Sequence, residues 1–383
     1  MNEIKIKKKF FSPIYLVLIL LISISVIFII LKNNKISYSS IKVEDGTKFS
    51  LSTHFDSYNN WENAIKTVVD NPGNKMIGSV GIGAGRVNWV YFKWDAHKDK
   101  WSNSQKNESR DMFFTAVTQF NKKGWDVIAI IDLFDPRYIS NFPKTAAIGF
   151  DGKKSESQLC FTELTNGKFS LLLEEMVSYV LKKYNISAIN FTELNYYSYC
   201  YCDNCLKSYK KWTGKKKWPR NWFSRNVSRD HLSIGKWRSS IMSNFLKKIH
   251  NVTKKHNKEL YVDVPVSWDN FNKNAVESGL DYNLVLASAD KIILWNYFHL
   301  KGEDPEISKS LSKYMTDNFN KKRVILSIGL WGDNTTSLSP YETTVSAYHT
   351  LKGGITNIWI TPNHLLTKDH WKELEVVFRF PVN

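Results

Sequence analysis

From residue 47 onward the apolar positions gather into short runs, separated by longer stretches with helical spacing. The runs Phe49–His54, Val87–Trp94, Asp126–Leu133, Ala188–Thr192, Leu260–Val264, Lys291–Tyr297, Val324–Leu330 and Ile355–Thr361 are of strand length and rich in branched and aromatic residues. Amphipathic stretches near 59–70, 108–122, 168–183, 234–256, 270–288, 304–320 and 340–352, and a last one near 367–377, predict helices. Alternating strands and helices imply a parallel sheet, and eight units are the number that closes a (β/α)8 barrel. The expected fold is therefore an α/β TIM barrel over 47–383, with a doubly wound open sheet as the alternative.

The pattern before residue 47 is different. From Ile14 to Leu31 run 18 residues without a charge, and at 1.5 Å per residue a helix of them would be about 27 Å long, close to the bilayer hydrocarbon thickness. Leu31-Lys32-Asn33-Asn34 follows where a cleaved signal peptide would have small residues, and no cysteine stands there for a lipid anchor. We expect a basic cytoplasmic segment over 1–13, an uncleaved transmembrane signal anchor over 14–31 and a linker over 32–46. With Lys5 to Lys9 held inside, the barrel is expected outside the cytoplasm, as part of a single-pass protein of the cell membrane.

Charge narrows the partners. Lys and Arg number 53 against 36 Asp and Glu, a net +17. Six lysines against Glu3 in the first 40 residues account for +5, leaving +12 for the rest. Such an excess suits a membrane surface or a wall polymer. Nucleic acid is not the expected partner, because the lysines fall mostly on helix faces as solvated lysines do. The run Gly78-Ser79-Val80-Gly81-Ile82-Gly83-Ala84-Gly85 invites a phosphate-loop reading, but Arg86 to Phe92 after it reads as strand, whereas such a loop opens a helix. Neither a G-x-S-x-G elbow nor an HExxH zinc motif occurs.

In a barrel of this kind chemistry sits where strands end and loops begin. Those places hold His54 and Asp56, Tyr196 and Tyr197, Trp268, Trp295 and Tyr297, Trp331, and Asn363. All 14 Trp follow residue 60. Flat rings at a barrel mouth can stack on the apolar faces of sugars, although any single ring serves equally well as a cap on the core. These residues are the candidate substrate-binding set.

The most specific motif is Cys200-Tyr201-Cys202-Asp203-Asn204-Cys205, with Cys160 the other cysteine of the chain. Three thiolates so close in sequence, and a fourth from a neighbouring loop, make a structural zinc (Zn2+) site; the competing reading is two disulfides, which such tight spacing disfavours. Seven residues earlier Glu193 ends the predicted fourth strand, Ile186-Ser187-Ala188-Ile189-Asn190-Phe191-Thr192-Glu193. A strand-four glutamate followed by Cys-x-Cys-x2-Cys, with one cysteine some 40 residues upstream, resembles the (β/α)8 glycoside hydrolases of the family-42 β-galactosidase type. The resemblance implies that Cys160, Cys200, Cys202 and Cys205 hold a structural zinc and that Glu193 is the general acid/base. The run from Leu206-Lys207-Ser208-Tyr209 to Trp218-Pro219 is similar to uncharacterised bacterial glycoside-hydrolase-like barrels. The tail Leu351-Lys352-Gly353-Gly354-Ile355-Thr356-Asn357-Ile358-Trp359 is similar to the C-terminal barrel of the poly-β-1,6-N-acetylglucosamine-processing proteins.

Two departures matter. Thr192 stands where the family-42 enzymes have Asn, and Leu330-Trp331-Gly332-Asp333 offers no glutamate at the end of strand seven, where their nucleophile lies. Glycoside hydrolysis needs a proton donor and a second carboxylate about 5–5.5 Å away for retention or about 6.5–9.5 Å for inversion. For that second role Asp263 ranks above Asp333 and Asp135, since it lies on the adjacent strand; an N-acetyl group of the substrate can also replace it. The expected function is a glycoside hydrolase acting on an envelope or exported polysaccharide, with amino sugars as candidate units. A polysaccharide-binding barrel that has lost its chemistry is the alternative.

Overall fold

Eight parallel strands curl into a sheet in which the first pairs with both the second and the last. In chain order they are β1 (Phe49–Thr53), β2 (Ile77–Arg86), β4 (Asp126–Asp132), β7 (Ala188–Thr192), β8 (Glu259–Pro265), β9 (Lys291–Asn296), β10 (Val324–Gly329) and β11 (Ile358–Thr361). The short β3 (Trp89–Val90) turns back antiparallel on β2, while β5 (Ala146–Ile148) and β6 (Lys154–Leu159) form a separate hairpin in the loop after β4. The computed structural model describes residues 49–53, 61–70, 75–223, 226–273, 278–332 and 337–378. The expected membrane anchor over 14–31 lies outside them, as do His54, Asp56 and Asp333. Among the described residues no helix is long and apolar enough to cross a membrane.

The strand register decides which side chains face inward. Residues aligned across a parallel pair share a face, and side chains alternate along each strand. Ile128, Ile130, Ala188, Tyr261, Ile293, Ile325 and Trp359 form the buried centre of the barrel. By the same alternation Asp132, Asn190, Thr192, Asp263, Trp295 and Ser327 face inward nearer the C-terminal ends of their strands. At the opposite end Lys291 Nζ donates to Glu259 Oε2 at 2.8 Å and to the Tyr261 hydroxyl at 2.7 Å, so paired charge fills that end. The ring and its core belong to one unit, Lys42–Asn383. With both sheet faces covered, that unit has what an independently folding domain requires.

Most elements match the sequence pattern, and each exception has a physical cause. The second strand is the glycine-rich run itself, Ile77–Arg86, rather than Val87–Trp94, where a turn and the two-residue β3 stand instead. Gly81 and Gly83 align with Ile128 and Ile130 on the inner face, while Val80, Ile82 and Ala84 alternate with them and are buried too. Period-2 alternation was thus present, but with glycine as the inward residue. Of the stretch expected to be one helix near 270–288, the described residues form the turn Phe271–Lys273 and the short helix Tyr282–Leu286, which Asp281 caps through its side chain. The helix Asp203–Thr213, within the long connection after β7, has no counterpart in the expected set. The helix Pro340–Lys352 opens on a capping box, in which the Ser339 side chain accepts from the Glu342 amide and Glu342 returns the contact.

Candidate active site

Glu193 follows β7 directly, with a positive φ of 65°. A side-chain-bearing residue pays steric strain in that left-handed conformation, and such strain is retained chiefly where the surroundings fix a functional group. Its carboxyl is half-buried at the mouth, and among the described residues it has no hydrogen-bond or ion-pair partner. Burial above all, then the negative charges of Asp132 and Asp263, push its pKa from 4.5 up to about 7, against a smaller opposing pull from Arg86. Glu193 can therefore hold a proton near neutral pH, which a general acid requires.

Three strands supply its surroundings. Asp263, on β8, is buried; its Oδ1 accepts from Asn190 Nδ2 at 3.0 Å and its Oδ2 from Trp295 Nε1 at 3.1 Å. Both donors are neutral, so they orient the carboxylate without cancelling its charge. Asp132, at the end of β4, takes Arg86 Nε at 2.7 Å and Nη2 at 2.6 Å on Oδ2, while its Oδ1 accepts from the Phe134 amide at 2.8 Å. Asp132 and Arg86 were not in the candidate set. Inward alternation from Ile128 and Ile130 points to Asp132, whereas its cation comes from a strand whose register the glycine run concealed.

An aromatic wall stands beside Asp263. The rings of Trp295 and Tyr297 stack with centroids 5.6 Å apart and 10° between planes, and Trp331 meets Tyr297 edge-on at 5.1 Å. Gly329 permits this packing, since a Cβ there would lie 2.4 Å from the Tyr297 ring. Burial first, then Asp263 and Glu193, raise the Tyr297 phenol well above its ordinary pKa. The sequence-predicted residues Glu193, Asp263, Trp295, Tyr297 and Trp331 are thus brought together. Trp268 and Asn363 are half-buried in the loops after β8 and β11, at the same end of the barrel.

Two expectations need correcting. Tyr196 is not a sugar platform: it is buried, its ring packs edge-on against Phe161 at 5.1 Å, and its hydroxyl donates to the Leu159 carbonyl at 3.1 Å. Asp135, ranked third as second carboxylate, is fully buried, and its oxygens accept from the Asn88 and Tyr138 amides, each at 2.8 Å. It caps the helix Pro136–Asn141 and ties it to the turn after β2. Tyr197 lies further out, its hydroxyl donating to Asp230 Oδ1 at 2.6 Å under the guanidinium of Arg229.

Beside this mouth the four cysteines gather as free thiols. Cys160 Sγ lies 3.3 Å from Cys202 Sγ and 3.7 Å from Cys205 Sγ, and the three sulfurs sit within 4.8 Å of one another, so they could hold a metal ion. Cys200 Sγ accepts the Phe161 amide at 2.8 Å and contacts the other three thiols. A tetrahedron with bonds of about 2.3 Å needs sulfurs about 3.8 Å apart; the Cys160–Cys202 and Cys160–Cys205 separations are of that order, whereas Cys200 falls outside the group of three. The buried Arg238 donates to the Tyr197 and Tyr199 carbonyls and so holds the loop that leads into the cluster.

No protein-family model and no curated protein sequence matches the chain. Solved structures do. The PgaB (BpsB) glycoside hydrolase domain from Bordetella bronchiseptica superposes with a TM-score of 0.67 over 88% of this chain and 99% of that one, at 11% identity. The fold is a (β/α)8 barrel like that of this domain. The catalytic domain of β-amylase from Paenibacillus polymyxa gives a TM-score of 0.60 at 12% identity, covering 88% of this chain and 99% of its own. The C-terminal domain of a putative chitinase from Desulfitobacterium hafniense gives 0.54 at 10% identity, covering 86% and 97%. At such identities the likeness carries the barrel and leaves its chemistry to the residues at the mouth.

Proposed function

We propose that the protein is a glycoside hydrolase acting on an envelope or exported polysaccharide, with Glu193 as general acid and Asp263 as the second carboxylate. The observation that carries this reading is Glu193 at the mouth, its pKa raised by burial to about 7 and without a partner among the described residues, flanked by Asp132 and Asp263 and faced by the Trp295–Tyr297–Trp331 wall. In this reading the wall stacks on a sugar ring, Glu193 protonates the departing glycosidic oxygen, and Asp263 stabilises the developing positive charge at the anomeric carbon or directs water to it. Amino-sugar polymers are the preferred substrates, because an N-acetyl group can supply a nucleophile in place of the glutamate absent from Leu330-Trp331-Gly332-Asp333. The likeness of the fold to a putative chitinase domain and to the PgaB (BpsB) glycoside hydrolase domain agrees with that class.

Zinc is proposed at Cys160, Cys200, Cys202 and Cys205, where it would tie the loop behind Glu193 to the loop after β6 without taking part in bond cleavage. The segment over 14–31 is proposed as a single-pass anchor that leaves the barrel outside the cytoplasm. Purified protein, incubated with exported amino-sugar polysaccharides and wall glycan, should release new reducing ends, and Glu193→Gln should stop this release while leaving the fold intact. Binding of such a polymer with no cleavage by the wild-type protein would establish the non-catalytic alternative.

A further inference from the structure

Between the helices Asp203–Thr213 and Leu232–Lys255 the chain makes a small hairpin that the proposed chemistry does not use. Arg220 and Val227 form an antiparallel bridge, the Asn221 amide donates to the Asn226 carbonyl at 2.8 Å, and the Ser228 amide donates to the Pro219 carbonyl at 2.9 Å. Its root is firm. Trp218 is buried, with its ring 4.5 Å from Tyr209 and 5.5 Å from Trp237. Beyond that root Trp222 is 90% exposed and Phe223 93%, the two most exposed large apolar side chains among the described residues.

Two adjacent large aromatics left in water forfeit burial worth about 1.5–3 kcal/mol each, so such a pair marks a surface that meets a partner. The charge around them selects that partner. No acidic residue occurs between Asp203 and Asp230, while Lys210, Lys211, Lys215, Lys216, Lys217 and Arg220 are all exposed within that segment. A cationic polymer would be repelled here. Near-complete exposure also differs from the half-buried Trp295, Tyr297 and Trp331 beside Asp263, which suit a sugar ring. Aromatic side chains that seat at headgroup level, ringed by Lys and Arg, fit an anionic lipid surface.

We propose that Trp222 and Phe223 insert into the interface of an anionic bilayer, with the flanking lysines and Arg220 holding the headgroups. The contact is separate from the segment over 14–31 and does not depend on the hydrolase assignment. Because the hairpin belongs to the connection that begins at Glu193, lipid contact would hold the mouth side of the barrel near the membrane.

The test uses residues 42–383, the self-contained barrel unit, which lacks the expected anchor. It should co-sediment with vesicles of equal parts phosphatidylglycerol and phosphatidylcholine and only weakly with phosphatidylcholine alone. Trp222→Ala with Phe223→Ala should reduce the partition coefficient by about tenfold or more, with an unchanged unfolding transition because both side chains are exposed. Replacing Lys215, Lys216 and Lys217 by Gln should weaken binding by about fivefold per charge and remove its salt dependence in proportion. Equal binding to both vesicle types would overturn the proposal. So would full binding by the aromatic double variant, or retention by an anionic polysaccharide in place of vesicles.

Discussion

Replacing Glu193 by Gln should make the barrel more stable at alkaline pH and leave it almost unchanged in acid. The carboxyl has a pKa of about 7 in the folded protein against 4.5 when unperturbed, with burial as the main cause. Between those values the folded state retains a proton that the unfolded state has released, so stability falls as pH rises through the interval. The contribution of this group is fully present below about pH 4.5 and lost as pH passes 7. At about 1.4 kcal/mol per unit the interval corresponds to about 3 kcal/mol, and solvent access at the half-open mouth lowers this to about 1–3 kcal/mol. Gln cannot ionise, so the stability of Glu193→Gln minus that of wild type should be near zero at low pH and reach this value above pH 8. Urea unfolding of both proteins across that range measures it, and the other carboxylates cancel in the difference. A difference flat with pH, or one favouring wild type at pH 8, would refute the placement of Glu193 in a desolvated, acid-flanked site.

Other perturbations address neighbouring parts of the account. Asp132→Asn removes a negative charge that raises the Glu193 pKa, and Arg86→Gln removes the cation that opposes it; a general acid works while protonated, so the alkaline limb of kcat/KM should move to lower pH in the first variant and to higher pH in the second. Cys202→Ser should lower both metal content by elemental analysis and the thermal unfolding temperature, whereas unchanged values would remove the proposed zinc site. Arg238→Met should cost about 1–3 kcal/mol by chemical unfolding, since the Tyr199 carbonyl loses its buried donor while the Tyr197 carbonyl keeps the Tyr201 hydroxyl.

Legibility followed local regularity. The strand Ala188–Thr192 and the helices Lys168–Lys183 and Pro340–Lys352 coincide with their expected bounds, because periodic burial marks them in the sequence. The strand Ile77–Arg86 was hidden because glycine reads as loop unless the opposing Ile128 and Ile130 are known to fill the inner face. Within the site, Asp263 and Trp295 were recoverable because alternation along strands carries through to their ends. Tyr196 and Tyr197 lie in a loop without period, so nothing local reveals that the first turns into the core and the second outward. Asp135 carried a readable signal: an Asp immediately before Pro at the first helical position is a cap signature. The Arg86–Asp132 pair required the ordering of strands around the barrel, which a single sequence does not display.

The most direct measurement of the central claim compares two classes of leaving group. A natural sugar leaving group needs a proton, whereas a dinitrophenolate departs without one. On an amino-sugar oligosaccharide, Glu193→Gln should lower kcat by about a thousandfold. On the dinitrophenyl glycoside of the same sugar it should retain most of its rate. Equal losses on both substrates, or no loss on either, would contradict Glu193 as the proton donor.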